Sequence, residues 1–451
     1  MYACETLAKF AVNFSIESVP PDVLQAAKSL TIDTVGVATY GSQFPWSKAI
    51  ARYAQSSSGI GSSRLFGING TRLSTAQAAL CNGSFTHAFE QDSLRKPGAG
   101  VHPGATVVAP AWAAAEECNA TGAQLLKAVI VACEVMFRVG AASMHSSEKK
   151  GFHAPGLTGP YGSAVACGVL LGLSEAQMVN AIGIAGSMSA GLLAFTKSQN
   201  GSGVKRLHLG RAAEAGVVAA KLAKEGLDGP ESILEGQYGF IEAYCADSNA
   251  ELLISNLGSV WEISKMCIKA FPCHVTAHTP IESLRLLMKE HGFESQQVSH
   301  IEIEVSDKVL SHHIIREPND VKQAQYSTPF CVAWALHYDP YQPENMNEDA
   351  LCDPLVRQTC RDIQFSLLSQ GAQKNSAWSS LIRVTLNSGE VYERWSDEFA
   401  GSPNKPLDSS QLHERFFQLT NQCASSAQSV WWNALSNLQD LKSLRDLPDL
   451  Y

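Results

Sequence analysis

Several features that mark common protein classes are missing from this 451-residue chain. Its twelve cysteines form no CxxC pair and no zinc-ribbon spacing, which favours buried, reduced thiols over a metal site or a disulfide framework. The chain contains neither the G-x-G-x-x-G pattern of dinucleotide-binding proteins nor a Walker A sequence. A net charge of −9 argues against nucleic acid as a partner, because nucleic-acid binders are usually basic.

Targeting and membrane signals are also missing. The N-terminus lacks the basic and apolar regions of a secretory signal and the arginines of a transit peptide. Between His153 and Val204 only Glu175 and Lys197 carry a formal charge, but Gly, Ser, Pro and Asn interrupt every apolar run. No continuous span of membrane length results. The sequence therefore predicts a cytoplasmic protein without a membrane partner.

The first part of the chain has the pattern of buried helices. A stripe of apolar residues starts after Pro20 and Pro21 and closes at Gly41, as proline and glycine do at helix ends. Residues 104–142 are apolar and rich in alanine, and Ser174 with Gln177 has the form of a capping box. We therefore predict an all-helical domain over residues 1–264.

The pattern changes after about residue 265. Residues 301–305, 381–386 and 391–395 alternate between apolar and polar side chains, and the last two runs predict a hairpin. Apolar helices are expected near residues 279–289 and 326–337. We predict a smaller α+β lid domain over 265–404, with helices of 405–451 packing back on the first domain. The fold class is mainly α.

A group of polar residues with apolar flanks gives the strongest indication of chemistry. His87, Glu90, Asp92 and His102 lie within sixteen residues, and two of the first three are expected to share a helix face. Histidine titrates near neutrality and a carboxylate can fix its tautomer, as proton transfer requires. We predict His102 as the main acid–base residue, oriented by Glu90 or Asp92. His87 is interpreted as a buried structural histidine.

Two cationic segments lie far downstream. Gly201-Ser202-Gly203 would let the backbone approach a ligand, so that Lys205 could neutralise a carboxylate. Lys269 and His274 lie near the predicted domain boundary, and a ligand usually binds in the cleft between domains. Together these segments predict a small anionic substrate, a polycarboxylate.

Two further histidines have more than one interpretation. His153 lies where the uncharged region begins, and both a functional and a capping role stay open. His278 follows His274 at the spacing of helical metal ligands, but the Glu of H-E-x-x-H is missing. We therefore predict no metal site there.

At these residues the chain resembles the MmgE/PrpD family, which includes 2-methylcitrate dehydratases, cis-aconitate decarboxylases and an iminodisuccinate epimerase. The resemblance spans nearly the whole length. It rests on segments that occur in the family's order, namely Asn82-Gly83 with His87 and Asp92, His102-Pro103, Gly151-Phe152-His153, Lys205 with Gly210-Arg211-Ala212-Ala213, Lys269 to His274, and Ala324-Gln325-Tyr326-Ser327.

The resemblance implies a large helical domain, a smaller α+β lid and a homodimer. It also implies an active site between the two domains that uses no cofactor and no metal. Carried over by position, that site would be lined by six residues, namely Glu90, His102, His153, Lys205, Lys269 and His274.

The chain departs from the family in a few places. Glu90 replaces a common Asp, Ser93-Leu94 replaces Asp-Thr, and Phe330 stands where decarboxylases place a tyrosine. The loop before His102 is nearer the dehydratase spacing. We therefore expect a lyase that dehydrates 2-methylcitrate or another 2-alkylcitrate, with His153 delivering a proton to the departing hydroxyl. The alternatives are a cis-aconitate-type decarboxylase, an epimerase, a metallohydrolase using His87, Asp92 and His102, and an inactive binding homologue.

Overall fold

The protein is mainly helical. A computed structural model describes residues 2–198, 203–369 and 377–451. The α-helices of these ranges, labelled α1 to α18 in chain order, are Ala3–Asn13, Pro21–Gly41, Pro45–Ser57, Thr75–Thr86, Ala109–Glu117, Gly122–Ala142, Ala154–Leu170, Glu175–Ser187, Val204–Lys224, Phe240–Tyr244, His278–His291, Asp307–His312, Val321–Ala324, Thr328–His337, Glu348–Cys352, Pro354–Asp362, Ser409–Leu419 and Ser425–Ser436.

The strands are short and belong mostly to one sheet. They are labelled β1 to β8 and comprise Ile60–Arg64, Arg72–Leu73, Leu94–Arg95, Met266–Cys267, Val298–Val305, Gln364–Leu367, Ser380–Leu386 and Val391–Ser396. The four-stranded sheet has the order β6-β5-β7-β8, in which β6 is parallel to β5 and the other pairs are antiparallel. The prediction of a mainly α fold with a small α+β part is confirmed.

The predicted local signals occur in the structure. Helix α2 begins at Pro21 and ends at Gly41, as the sequence indicates. The side chain of Ser174 caps α8 by accepting a hydrogen bond from the backbone of Gln177. The predicted hairpin is formed by β7 and β8, in which Arg383 pairs with Glu393. Among the described residues, no helix combines the length and apolar character that crossing a membrane requires.

Two large apolar cores lie in different parts of the chain. The first joins α1 to α9 with the C-terminal helices, and it buries Trp112 and Trp431, whose rings stack at 5.5 Å. The second covers the four-stranded sheet with α11 and α14, and it includes Phe89 from the helical part. Residues of the C-terminal segment pack on the first core. The domain boundaries at 264/265 and 404/405 stay a prediction.

Close contact between helices α4 and α9 sets the position of the residues discussed below. A Cβ atom at Gly210 would lie 2.0 Å from Oγ of Ser84 and 2.4 Å from the backbone oxygen of Leu80. Only glycine allows such an approach. The start of α9 is therefore held beside the end of α4, where the chain continues into residues 87–92.

Strand β3 connects the loop that precedes His102 to the segment that precedes Lys269. Leu94 pairs with Cys267 and Arg95 with Met266 in an antiparallel ladder. The guanidinium of Arg95 also binds the buried carboxylate of Glu262 at 2.7 Å. The segments before His102 and before Lys269, which are far apart in sequence, are thereby brought together at the junction of the two cores.

Candidate active site

Residues 87–92 form an irregular turn rather than a continuation of α4. The helix ends at Thr86 and His87 is its C-cap, so the expectation that two of His87, Glu90 and Asp92 share a helix face is wrong. The buried Glu90 has a φ of 57°, a left-handed conformation that costs a non-glycine residue about 1–2 kcal/mol. The surrounding structure must therefore hold the turn in place.

Hydrogen bonds from three separate segments hold this turn. Nε2 of Gln325 in the lid donates to the backbone oxygens of Phe89 and Pro272, each at 2.9 Å. Arg206 on α9 donates to the backbone oxygen of Ala88 at 3.4 Å. Arg415 on α17 donates to the backbone oxygen of Gln91 at 3.1 Å. The strained turn is thus fixed from both parts of the molecule.

Asp92 lies between two histidines. One of its carboxylate oxygens, Oδ2, is 2.8 Å from Nδ1 of His87 and 2.8 Å from Nδ1 of His102. Burial alone would raise the pKa of Asp92, but the attraction of His102 and His87 outweighs it and holds the pKa well below its usual range. Asp92 is therefore ionised; it accepts a hydrogen bond from Nδ1 of His87 and attracts the ring of His102.

His87 differs from His102 in its exposure to solvent. Complete burial, together with Lys205 nearby, lowers the pKa of His87 to about 3, even though Asp92 attracts its charged form. The ring therefore stays neutral at physiological pH, which fits the structural role predicted for it. The side chain of His102 is 15% exposed, and its ring centroid lies 4.8 Å from that of His87.

Glu90 is surrounded by cations. One carboxylate oxygen accepts hydrogen bonds from Nζ of Lys205 and from the hydroxyl of Tyr326, the latter at 2.9 Å, and the other lies 3.3 Å from Nζ of Lys269. Burial would raise the pKa of Glu90, but Lys205 and Lys269 hold it well below its usual range. Among the described residues no hydrogen bond or ion pair joins Glu90 to His102, so of the two predicted orienting residues only Asp92 lies within ion-pair distance of that histidine.

Lys205 lies in the first turn of α9, in a position where burial affects its charge. Burial lowers the pKa of Lys205 to about 8, although Glu90 favours its charged form. Lys205 is therefore mostly protonated at neutral pH. The preceding segment, Gly201-Ser202-Gly203, is predicted to let the backbone approach a ligand. Gly201 and Ser202 of that segment lie outside the described residues.

The remaining predicted residues, His153, Lys269 and His274, lie around Glu90, Asp92 and Lys205. The ring of His153 lies 6.3 Å from that of His87. His274 stacks on His313 at 4.1 Å and lies 5.6 Å from the ring of Tyr326. Lys269 also approaches Asp92, at 3.9 Å. The structure therefore brings the predicted residues into one connected group, from both sides of the junction.

Sequence reasoning did not single out two residues at the site. Tyr326 contacts Glu90 and Lys205, whereas Phe330, discussed above as the replacement of a tyrosine, is fully buried in the lid core. No spacing signal pointed to Tyr326, because its partners are more than one hundred residues away. His208, which contacts His153, was detectable in principle, since it follows Lys205 by three residues on one helix.

His87, Asp92 and His102 are close enough to form a candidate metal-binding group. Both Nδ1 atoms, however, lie 2.8 Å from the same oxygen, which is a hydrogen-bonding distance. Zinc ligands would each lie about 2.0–2.2 Å from an ion placed between them. The residues as arranged fit a carboxylate that orients two imidazoles, and His274 and His278, the other pair considered, have different partners.

The combined arrangement suits acid–base chemistry on an anion. Two ammonium groups and a phenol converge on one carboxylate, that of Glu90. Lys269 connects this carboxylate to the histidines around Asp92, because its Nζ lies 3.3 Å from Glu90 and 3.9 Å from Asp92. Fixed positive charge in a buried site stabilises negative charge that develops on a substrate.

Comparison with known proteins identifies the family. The MmgE/PrpD N-terminal domain matches residues 5–253, and the MmgE/PrpD C-terminal domain matches residues 271–440. The chain belongs to the MmgE/PrpD family. The resemblance found in the sequence is thereby confirmed. The C-terminal family domain extends into the segment that packs on the helical core.

Curated MmgE/PrpD relatives are similar over most of the chain. A cis-aconitate decarboxylase of Aspergillus terreus is 28% identical over 407 residues, covering 86% of this chain and 79% of the relative. A cis-aconitate decarboxylase of Homo sapiens is 26% identical over 456 residues, covering 99% and 92%. A cis-aconitate decarboxylase-like protein of Aspergillus oryzae is 26% identical over 453 residues, covering 93% and 91%. All three names refer to cis-aconitate decarboxylase.

Proposed function

We propose that the protein is a lyase that removes carbon dioxide from cis-aconitate or a closely related unsaturated tricarboxylate. The observation that carries the proposal is the convergence of Lys205, Lys269 and Tyr326 on the buried carboxylate of Glu90. Lys269 also lies 3.9 Å from Asp92, which is 2.8 Å from Nδ1 of His102. The similarity to cis-aconitate decarboxylases over most of the chain supports it. The proposed chemistry uses protein groups alone.

Substrate binding would use the contacts that Glu90 now makes. Glu90 presents a carboxylate to both lysines, so a substrate carboxylate placed beside it would meet the same donors. Lys269 carries one of these donors and lies at the start of the lid segment, while His274 lies on the lid side with His313. A substrate with several carboxylates can therefore bridge the two parts of the protein.

In the bond-breaking step, the bond between a carboxylate carbon and its neighbour breaks and carbon dioxide leaves. The electron pair moves through the adjacent double bond toward the remaining carboxylates, where Lys205 and Lys269 stabilise the negative charge. A proton must then form a new carbon–hydrogen bond. His102, oriented by Asp92, and His153 are the two imidazoles assigned to handling protons at the cleft.

The test is direct incubation of the purified protein with four acids. They are cis-aconitate, citrate, 2-methylcitrate and a longer 2-alkylcitrate. We expect carbon dioxide and a dicarboxylic product from cis-aconitate, identified by mass. A Lys205→Met, Lys269→Met double variant serves as the control for contaminating activity. Consumption of cis-aconitate without release of carbon dioxide, or no consumption by the wild type, would overturn the proposal.

Dehydration of a 2-alkylcitrate is the second candidate, favoured by the dehydratase-like length of the loop before His102. In that reaction a base removes a proton next to a carboxylate, and the hydroxyl leaves with a proton from His153. The same experiment separates the two reactions, because dehydration yields an unsaturated tricarboxylate and no carbon dioxide. A chelator tests the metallohydrolase alternative. If a metal held by His87, Asp92 and His102 were needed, chelation should abolish activity.

A further inference from the structure

One histidine pair connects the candidate active site with the protein surface. Nδ1 of His153 lies 3.1 Å from Nδ1 of His208 on helix α9. The ring of Phe195 packs edge-on against both imidazoles, with ring centroids 5.3 Å and 5.8 Å away. The pair is therefore held between the start of α7, a 3-10 turn and α9.

The two rings differ in their exposure to solvent, so that one faces the site and the other lies nearer the surface. His153 is buried, with 5% of its surface exposed, and lies on the side of His87 and His102. His208 is only half-buried. A proton that reaches His208 from solvent would need one further transfer, over 3.1 Å, to reach His153.

The contact between two Nδ1 atoms restricts the tautomers. Burial and the charge of Lys205 hold the pKa of His153 well below its usual range, and the same two causes lower the pKa of His208. Both rings are therefore neutral at rest. A 3.1 Å contact between them requires that one Nδ1 carries a hydrogen and the other accepts it. If His208 donates, His153 carries its own hydrogen on Nε2.

The proposed reaction needs such a connection. Decarboxylation replaces a carbon–carbon bond with a carbon–hydrogen bond, so each turnover consumes one proton from solution. A neutral imidazole can supply that proton without becoming an anion only if a second proton arrives at its other nitrogen. His102 is not placed in the same way, because its Nδ1 faces the ionised, fully buried Asp92.

We propose that His208 and His153 form the proton route of this site. His153 gives the hydrogen on Nε2 to the carbanion left by carbon dioxide, while its Nδ1 takes the hydrogen from Nδ1 of His208. In the same step solvent delivers a proton to the other nitrogen of His208, so neither ring becomes an anion. The inference rests on the proposed function and adds that His153, rather than His102, protonates carbon, with His208 acting through it.

The test separates proton transfer from simple orientation of the His153 ring. His208→Gln keeps an amide N–H that can donate to Nδ1 of His153 but cannot pass on a proton, and His208→Ala removes both abilities. We expect kcat to fall in both variants by roughly tenfold to a hundredfold, below the two to four orders of magnitude typical of a direct acid–base group. Added imidazole should restore the rate of His208→Ala in a saturable manner.

The buffer dependence gives a readout that a structural role would not move. The rate of His208→Ala should rise with the concentration of small proton-donating buffers, while the wild-type rate should not. Normal kcat in His208→Gln, or a loss of kcat in His208→Ala that imidazole does not restore, would overturn the proton route through His208 but not the proposed function. Absence of turnover in the wild type with all four acids would overturn both the proton route and the proposed function.

Discussion

At the scale of single residues, the two carboxylates of the 87–92 turn have different tasks. Asp92 contacts imidazoles and Glu90 contacts ammonium groups, although the sequence places them two residues apart. The sequence suggested either one as the partner of His102. It could not distinguish them because the left-handed backbone at Glu90 turns its side chain toward α9 and the lid, and no periodicity predicts that turn.

Replacing His102 tests its role directly. We expect His102→Ala to lower kcat by roughly two to three orders of magnitude, because an imidazole that donates a hydrogen bond to developing charge contributes about that much. Asp92→Asn should lower kcat as well, since a neutral amide oxygen attracts the two imidazole rings less strongly than the carboxylate does. The control is His300→Ala in the lid sheet, which should retain wild-type kinetics. Near-normal turnover of His102→Ala would show that the role assigned to it is wrong.

The charge of Lys205 predicts the alkaline limb of the pH profile. Because its pKa is lowered to about 8, the ammonium is present below that pH and is lost as the pH rises through it. An anionic substrate should therefore bind more weakly above pH 8, so that KM rises and kcat/KM falls.

Lys205→Arg provides the matched control for this profile. Arginine stays protonated over the whole range, so the limb near pH 8 should disappear even if the overall activity is reduced. Profiles of kcat/KM measured from pH 6 to pH 10 would show this. A limb near pH 8 that persists in Lys205→Arg would assign it to another group.

At the scale of secondary-structure elements, the strongly periodic segments were predictable. Proline and glycine mark the ends of α2, and a capping residue marks the start of α8. Alternation of apolar and polar residues marks the β7–β8 hairpin. Strand β6 does not, because it is a mostly exposed edge strand whose parallel pairing with β5 depends on the rest of the lid. The convergence of α9 with residues 87–92 depends likewise on packing.

The contact of α4 with α9 predicts a sensitive position. Gly210→Ala would place a Cβ against the backbone oxygen of Leu80 and the side chain of Ser84, so the helices must separate. Overpacking of this kind costs about 1–3 kcal/mol, more than the roughly 1 kcal/mol that alanine gains over glycine in a helix. We expect lower unfolding midpoints in urea and a lower kcat/KM, because Lys205 moves with α9.

Gly59→Ala is the matched control for this substitution. A Cβ atom at Gly59 would meet nothing within 4 Å, so stability and kinetics should stay close to the wild type. Equal effects of the two substitutions, or no effect of Gly210→Ala, would show that the close approach of α4 and α9 does not position the site.

At the scale of the whole molecule, charge and function have to be considered together. The chain carries a net charge of −9, which by itself would repel a polycarboxylate. The buried cations Lys205, Lys269 and Arg206 outnumber the ionised carboxylates of Glu90 and Asp92 among them, and a local field decides binding at short range. The sequence pointed to Lys205 and Lys269 through the segments that flank them, but nothing in the composition shows which of its cations are buried together.

The position of the site between two cores predicts that a ligand stabilises the whole protein. Tricarballylate, a saturated tricarboxylate without a hydroxyl group, can neither lose water nor undergo the proposed decarboxylation. At one hundred times its Kd it should add about 2.7 kcal/mol to the free energy of unfolding, which is a rise in Tm of roughly 3 °C for a chain of this length. Lys269→Met should lose most of this rise, because Lys269 supplies one of the two ammonium groups at Glu90. Lys289→Met, at an exposed lysine, should keep it. An unchanged rise in Lys269→Met would mean that tricarboxylates bind elsewhere, and the convergence of the two lysines would then have no part in binding.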